Sequence, residues 1–159
     1  MTAIQTLPFP HAPQRGVGVA AWPRVAVAPA GSDAHFIALL NAYRASGGLA
    51  TGSEIAVRQP FTGLSTLGRA ITARTVISLD WAGQRWLPLF QFEPGDLAVR
   101  PPVRALIDEL SDVLDDWELA DWFVEPHASL RGTPPLQRVD DDFAVVHDAA
   151  RALRFACGH

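Results

Sequence analysis

The pattern of apolar and polar positions along the chain first becomes helical near residue 33. In DAHFIALLNAYRASGG the apolar side chains fall three or four residues apart, which is the spacing of one helical face: Phe36, Leu39, Leu40 and Tyr43. Ser32 or Asp33 can cap this helix at its amino end. The glycine pair at 47 and 48 predicts its end, because glycine readily takes the left-handed conformation that follows a helix.

Two shorter helices follow in the pattern. The first, SEIAVRQ, can be capped by Thr51 or Ser53 and is closed by Pro60. The second, TLGRAITAR, can be capped by Ser65. The segment RQPFTGL separates them, and it is longer than the three or four residues of a tight helix-turn-helix turn.

From residue 76 the apolar positions alternate with a period of two, which predicts β-strands. VISLDW, the turn AGQ and RWLPLFQF together indicate a β-hairpin. Pro88 has no N–H for a sheet ladder, so its strand is expected at an edge or with a bulge. Three short helices followed by a hairpin is the layout of a winged helix-turn-helix.

The pattern is helical again from Pro101. One face of an amphipathic helix is marked by Val103, Leu106, Ile107, Leu110 and Leu114. Asp115 can cap the next helix, and Glu118, three residues on, completes a capping box. Pro126 stops that helix.

Two further helices are predicted in the last part of the chain. Pro134-Pro135 can open a short one. Asp140 or Asp141 can cap the last, whose apolar stripe consists of Phe143, Val146, Ala150 and Leu153.

Together the elements predict a mainly α protein, a small helical bundle with one β-hairpin. We expect an extended or mobile arm over residues 1–31, a winged helix-turn-helix-like unit with the hairpin over 32–100, and a helical unit over 101–159. A length of 159 residues suits one domain, or two small ones that share a core.

Few residues in the chain could perform chemistry. The five histidines form no H-E-x-x-H pair, and the one cysteine, Cys157, can make neither an internal disulfide nor a zinc site. The chain has no G-x-S-x-G nucleophile motif and no phosphate-cradling glycine loop. We therefore expect a protein that is not an enzyme and that uses no metal or cofactor.

The sequence also indicates where the protein works. No apolar run approaches the roughly 18 residues needed to span a membrane. The opening residues, MTAIQTLPFPHAPQRG, lack the basic start and apolar block of a secretory signal. We therefore expect a cytoplasmic protein without membrane contact.

Charge divides the chain unevenly. Residues 1–104 carry nine arginines against five acids, a net charge of +4, whereas residues 105–159 carry four arginines against twelve acids, a net charge of −8. A basic part could face phosphate and an acidic part could face a protein. Moderate imbalances of this kind are also common without any such role.

The winged layout points to candidate DNA contacts. In such modules the third helix enters the major groove and the hairpin touches the phosphate backbone. Side chains that could bind phosphate or guanine there are Ser65, Thr66, Arg69, Arg74 and Arg85. The alternative is a small helical unit whose hairpin only covers the core.

A family resemblance appears between residues 117 and 136. The ordered residues that carry it are Trp117, Trp122, Phe123, Pro126, Leu130, Gly132, Pro134 and Leu136. This order resembles the toxin-binding domain of the antitoxin Xre/MbcA/ParS-like family, and RWLPLFQF is similar to the hairpin that often precedes that domain. The resemblance covers roughly residues 81–155. His127 stands where the family usually has asparagine, and histidine is the poorer helix cap.

The resemblance implies a function. Family members act as antitoxins of type II toxin-antitoxin pairs and commonly block toxins of the RES type, which degrade NAD, with their carboxy-terminal region. The helical unit would then be a toxin-binding domain, with contacts expected from Asp148, Arg151, Arg154, Phe155 and His159. The resemblance further implies repression of the chain's own operon, as a homodimer bound to operator DNA. The alternative is a stand-alone DNA-binding regulator without a toxin.

The motif residues also have a purely structural interpretation. Tryptophan, phenylalanine and leucine at this spacing favour a core over a binding surface. Gly132 fits a tight turn, and Pro126 and Pro134 fix the direction of the chain. On this interpretation the motif is a scaffold that presents the last helix to a partner.

Overall fold

The computed structural model describes residues 29–58 and 63–158, so most of the predicted arm lies outside the described residues. The helices and strands in chain order are α1 (Asp33–Tyr43), β1 (Leu49–Thr51), α2 (Gly52–Arg58), α3 (Gly63–Thr72), β2 (Leu79–Trp81), β3 (Gln84–Pro88), α4 (Pro101–Leu110), α5 (Asp116–Val124), α6 (Pro135–Arg138) and α7 (Phe143–Cys157). The predicted fold class, mainly α with one β-hairpin, is confirmed.

The hairpin belongs to a three-stranded antiparallel sheet with the strand order β1-β3-β2. Ala82 and Gly83 both have positive φ between β2 and β3, as the tightest hairpin turns require. Strand β1 was not predicted, because three residues are too few to show an alternating pattern. Strand β1 lies between α1 and α2 and pairs with the second hairpin strand, β3.

Pro88 lies in the central strand, so the prediction of an edge strand or a bulge was wrong. It is the last residue of β3 and stands opposite Leu49 of β1. A proline at the end of a strand removes only one hydrogen bond from the ladder. The N–H of Leu89 then bonds to the carbonyl oxygen of Gly48 at 2.9 Å, so the chain continues beside β1.

Side-chain caps start several helices as predicted. The hydroxyl of Ser32 accepts a hydrogen bond from the N–H of His35 at the start of α1. Asp115 and Glu118 form a complete capping box at the start of α5. These caps satisfy N–H groups that have no partner within the helix.

Two predicted caps were wrong. Helix α3 begins at Gly63, so Ser65 lies inside its first turn, where a serine is tolerated because N–H groups there lack intrahelical partners. Helix α7 begins after Asp142 rather than after Asp140 or Asp141. The carboxylate of Asp140 pairs instead with Arg100.

One hydrophobic core joins the two halves of the chain. It takes buried side chains from α1, from the sheet and from the four carboxy-terminal helices, among them Leu39, Leu79, Ile107, Phe123 and Val146. A second, smaller cluster lies under α2 and α3 and includes Ile55, Val76 and Leu87. The amino-terminal and carboxy-terminal units therefore share a core and hold each other in position.

Two glycines of this fold are expected to respond to alanine in opposite directions. Gly68 lies inside α3 and Gly132 lies in a turn at φ +75°, and an added Cβ would meet no heavy atom within 4 Å at either. Gly68→Ala should therefore stabilise the fold by about 0.5–1 kcal/mol through helix propensity. Gly132→Ala should destabilise it by about 1 kcal/mol, because the left-handed conformation strains alanine. Urea unfolding measures the free energy of unfolding of both variants. Changes of the same sign would contradict the opposite roles given to these two glycines.

Candidate partner interfaces

The motif of residues 117–136 forms core and turns rather than a binding surface. Trp122, Phe123 and Leu130 are buried, and Trp117 is half-buried with its ring 5.0 Å from that of His35. The structural interpretation of these aromatic and aliphatic residues is confirmed. Their role is to fold the chain so that α6 and α7 pack back on α4 and α5.

The turn after α5 is closed by backbone contacts and by a histidine ring. Pro126 is exposed at its start, Pro134 precedes α6, and the N–H of Gly132 bonds to the carbonyl oxygen of His127 at 2.9 Å. The Nε2 atom of His127 lies 3.0 Å from the carbonyl oxygen of Trp122. A carbonyl can only accept, so Nε2 carries the proton and the ring caps the end of α5. The histidine thus caps the preceding helix instead of the following turn.

The buried position of His127 predicts a pH-dependent stability. Burial lowers the pKa of its ring below the ordinary value of 6.5, and the hydrogen bond to Trp122 opposes this only in part. The unfolded chain therefore binds more protons here, so this contribution to stability is present above pH 6.5 and is lost as the pH falls through the folded pKa. Between about pH 7 and about pH 5, His127→Asn should lose less stability than the wild type. The free energy of unfolding of both proteins is measured with urea at the two pH values. If the wild type and His127→Asn lost the same amount between them, the prediction would be contradicted.

Hydrogen bonds between polar groups fix α1 against α5. The Nε2 atom of His35 lies 2.8 Å from the Asp121 carboxylate, and the N–H of Gly31 donates to Nδ1 at 3.3 Å. Tyr43 lies about two turns after His35 at the end of α1, and its hydroxyl donates to the carbonyl oxygen of Ala120 at 2.6 Å. Burial raises the pKa of Asp121, and the hydrogen bond from His35 opposes that rise. The sequence showed His35 and Tyr43 only as members of a helix, because their partners lie far along the chain.

Helix α7 buries one face against α4 and exposes the other. Val146 and Ala150 are fully buried, with Phe143 and Leu153 half-buried beside them, which confirms the predicted stripe. The opposite face carries Asp148 and Arg151, whose charged atoms are 3.9 Å apart, and Phe155, whose exposed fraction is 74%. This outer face therefore offers an aromatic side chain between charges.

The five predicted toxin contacts do not all lie on that outer face. Asp148, Arg151 and Phe155 do. Arg154 lies on the flank, where its guanidinium is 3.2 Å from Glu109 and 3.8 Å from Asp112 of the α4 end. It therefore fastens the end of α7 to the bundle. His159 lies outside the described residues.

The predicted DNA contacts separate into two groups. Ser65, Thr66 and Arg69 are exposed together on one side of α3, and Nε of Arg69 donates to the Ser65 carbonyl oxygen at 3.3 Å. Arg85 forms two hydrogen bonds of 2.8 Å with Asp80 across the hairpin, so its charge is already compensated. Arg74 bonds to the junction of α4 and α5. Arg74 and Arg85 are also exposed, but their guanidinium groups are engaged within the chain, so the α3 group offers the clearer candidate contacts.

Metal-binding clusters and membrane-spanning helices are absent from the described part of the chain. Among residues 29–58 and 63–158, no cluster of three or more His, Cys, Asp or Glu side chains is arranged to hold a metal. Within the same described part, every helix is too short or too polar to cross a membrane. Comparison of the chain with family models, with curated proteins and with solved structures finds no match. The outer face of α7 and the exposed side of α3 are thus the surfaces from which a function has to be inferred.

Proposed function

We propose that the chain is the antitoxin of a type II toxin-antitoxin pair, and that it binds and blocks a RES-type, NAD-degrading toxin through its carboxy-terminal region. The observation that carries this proposal is the ordered motif of residues 117–136, which resembles the toxin-binding domain of the antitoxin Xre/MbcA/ParS-like family. Since the motif side chains are used in the core, α7 remains as the element that can meet a partner. The protein would act by binding and not as an enzyme.

The make-up of the outer face of α7 supports a protein partner. Exposed phenylalanine and arginine side chains are among the residue types that are enriched at protein interfaces. Phe155 would be the anchor, and Asp148 and Arg151 would lie beside it. Few residues of this type are exposed elsewhere among the described residues, where the other large exposed apolar side chains are Ile37, Val57 and Val145.

Charge supports a toxin with a phosphate-binding site. Residues 105–159 carry twelve acids against four arginines. A pocket that binds NAD has to hold two phosphates, so its entrance is lined with cations or N–H groups. An acidic partner surface complements such an entrance, speeds association and helps to exclude the substrate.

Co-expression with a RES-type toxin tests the proposal. Cells that contain both proteins should keep their NAD and continue to grow, whereas cells with the toxin alone should lose NAD. The control is the chain with Phe123→Ala, which is expected to lower the stability of the fold from within the core. Equal loss of NAD with and without the intact chain would contradict the proposal.

A second candidate function is DNA binding, either in repression of the chain's own operon or as a stand-alone regulator that works as a homodimer. The observation that favours it is the order α1-β1-α2-α3-β2-β3, with β1 paired to β3, which is that of a winged helix-turn-helix. The exposed side of α3 supplies Ser65, Thr66 and Arg69 for contacts with phosphates or bases.

Arg69→Ala is expected to weaken DNA binding by about tenfold, since a well-placed arginine contact contributes about 1–3 kcal/mol. The affinity should also fall steeply with salt, because arginine contacts to phosphate release counterions. Arg44→Ala is the matched control, because Arg44 is an exposed arginine after α1 whose guanidinium donates to the side chain of Asn41. The measurement is fluorescence anisotropy with promoter DNA at several salt concentrations. Equal affinity of the wild type and Arg69→Ala would remove α3 as the DNA-reading helix.

A further inference from the structure

Arg74 occupies a backbone position that normally belongs to glycine. Helix α3 ends in a Schellman motif, in which the N–H of Thr75 bonds to the carbonyl oxygen of Ala70 at 2.9 Å and the N–H of Arg74 to that of Ile71 at 3.0 Å. This motif requires one residue in the left-handed backbone conformation, and Arg74 adopts that conformation with φ 54°. A side chain in this conformation costs about 1 kcal/mol or more, which glycine would avoid.

The guanidinium of Arg74 offsets that strain with contacts far along the chain. Its Nη1 donates to the carbonyl oxygen of Ser111 at 2.6 Å, and its Nη2 donates to that of Leu114 at 2.8 Å. Nη2 also lies 3.4 Å from the carboxylate of Asp116. Ser111 and Leu114 carry carbonyl groups in the turn between α4 and α5, where helical partners are lacking. One side chain therefore holds the end of α3, the end of α4 and the start of α5.

Asp116 connects the contact of Arg74 to a further part of the fold. Its carboxylate is half-buried and accepts a second hydrogen bond from the hydroxyl of Ser78, at 3.4 Å. Burial raises the pKa of Asp116, while Arg74 and Ser78 lower it. Removal of the arginine would take one hydrogen bond and the nearest positive charge from this half-buried carboxylate, which opposes any rearrangement that breaks the contact.

We infer that Arg74 is a positioning residue that locks the end of α3 to the α4–α5 junction, so that the candidate DNA-reading helix and the carboxy-terminal unit move as one body. The consequence for DNA rests on the proposed DNA-binding function, whereas the mechanical link does not. Arg74 thus acts through the placement of α3 and not as a phosphate contact of its own.

Distances between spin labels test the link without DNA. The labels are placed at Gly68→Cys on α3 and Ala144→Cys on α7, in a chain that carries Cys157→Ser. Arg74→Gly removes the guanidinium and also relieves the backbone strain, so it is the variant best able to fold. Arg74→Ala removes the guanidinium and keeps the strain. Arg69→Ala, on the same helix, is the matched control because its contact is local to α3.

The link predicts one narrow distance distribution in the wild type and in Arg69→Ala, and a broad one in both Arg74 variants. A distribution in Arg74→Gly as narrow as that of the wild type would overturn the link, whatever the chain does with DNA. Circular dichroism of each variant confirms that its helices are retained, and Arg74→Gly carries the test where Arg74→Ala does not fold.

DNA affinity, measured with 30-base-pair duplexes of random sequence at low salt, tests the consequence. Arg74→Gly should bind about tenfold more weakly than the wild type, the size expected for loss of a coupling contact. A broad distance distribution with unchanged DNA affinity would overturn the inference that Arg74 controls the placement of the DNA-reading helix. A wild type that binds no DNA would contradict the DNA-binding function alone, and the broadening in Arg74→Gly would still support the link.

Discussion

Phe123→Ala is expected to remove about 3–5 kcal/mol from the free energy of unfolding, the largest single loss in stability that we predict. The side chain is fully buried, and its ring lies 5.0 Å from those of both Phe90 and Trp122. The contact with Phe90 joins the turn after β3 to α5, so alanine would leave a cavity where the two halves of the chain meet. Domains of this size are stable by only about 5–15 kcal/mol, so the loss would be a large part of the margin.

Urea unfolding followed by tryptophan fluorescence measures this loss. Phe155→Ala is the matched control, because it removes the same side chain from a surface position with an exposed fraction of 74%. Its stability should stay within about 0.5 kcal/mol of the wild type. Similar losses in the two variants would show that Phe123 is not at the centre of a shared core.

Phe155→Ala is in turn expected to weaken toxin binding by about 2 kcal/mol or more, a factor of roughly 30 in Kd. An exposed aromatic side chain that becomes buried in an interface contributes more to affinity than the polar residues around it. Arg151→Ala should have a smaller effect, since the guanidinium of Arg151 is already near the carboxylate of Asp148. Calorimetric titration of a RES-type toxin with each variant measures the two constants.

The control for this prediction is Val57→Ala, which removes an apolar side chain with an exposed fraction of 82% from α2. It should leave toxin affinity unchanged, because α2 lies in the amino-terminal unit. If Val57→Ala and Phe155→Ala weakened binding equally, the outer face of α7 would not be the toxin interface. Inhibition that survived both substitutions would lead to the same conclusion.

The helices could be predicted from the sequence wherever their apolar faces were long. The stripes of α1, α4 and α7 have buried residues at helical spacing, and the capping box of α5 is a signal within four residues. Prediction failed where the decisive partner lay elsewhere. Strand β1 is three residues long and exists because it pairs with β3, and Pro88 is tolerated in a central strand because the strand ends there.

The candidate interfaces were harder to predict, because an arginine looks the same in the sequence whether its charge is free or engaged. The partners of Arg74 are 37–42 residues away, and Arg154 reaches back 45 residues to Glu109. Arg85 pairs with Asp80 across the hairpin, a contact that the alternating pattern could have indicated. Arg69 and Phe155 remain exposed, and the proposals about DNA and toxin therefore concentrate on them.

We propose above all that this chain binds and blocks a NAD-degrading toxin. It is tested most directly by a pull-down of the tagged chain from its native host, in which bound proteins are identified by mass and the complex is assayed for NAD hydrolysis. We predict one RES-type protein in stoichiometric amount, with its NAD hydrolysis suppressed in the complex and restored when the chain is removed. Recovery of promoter DNA without a protein partner, or a partner that hydrolyses NAD at its full rate within the complex, would contradict the claim.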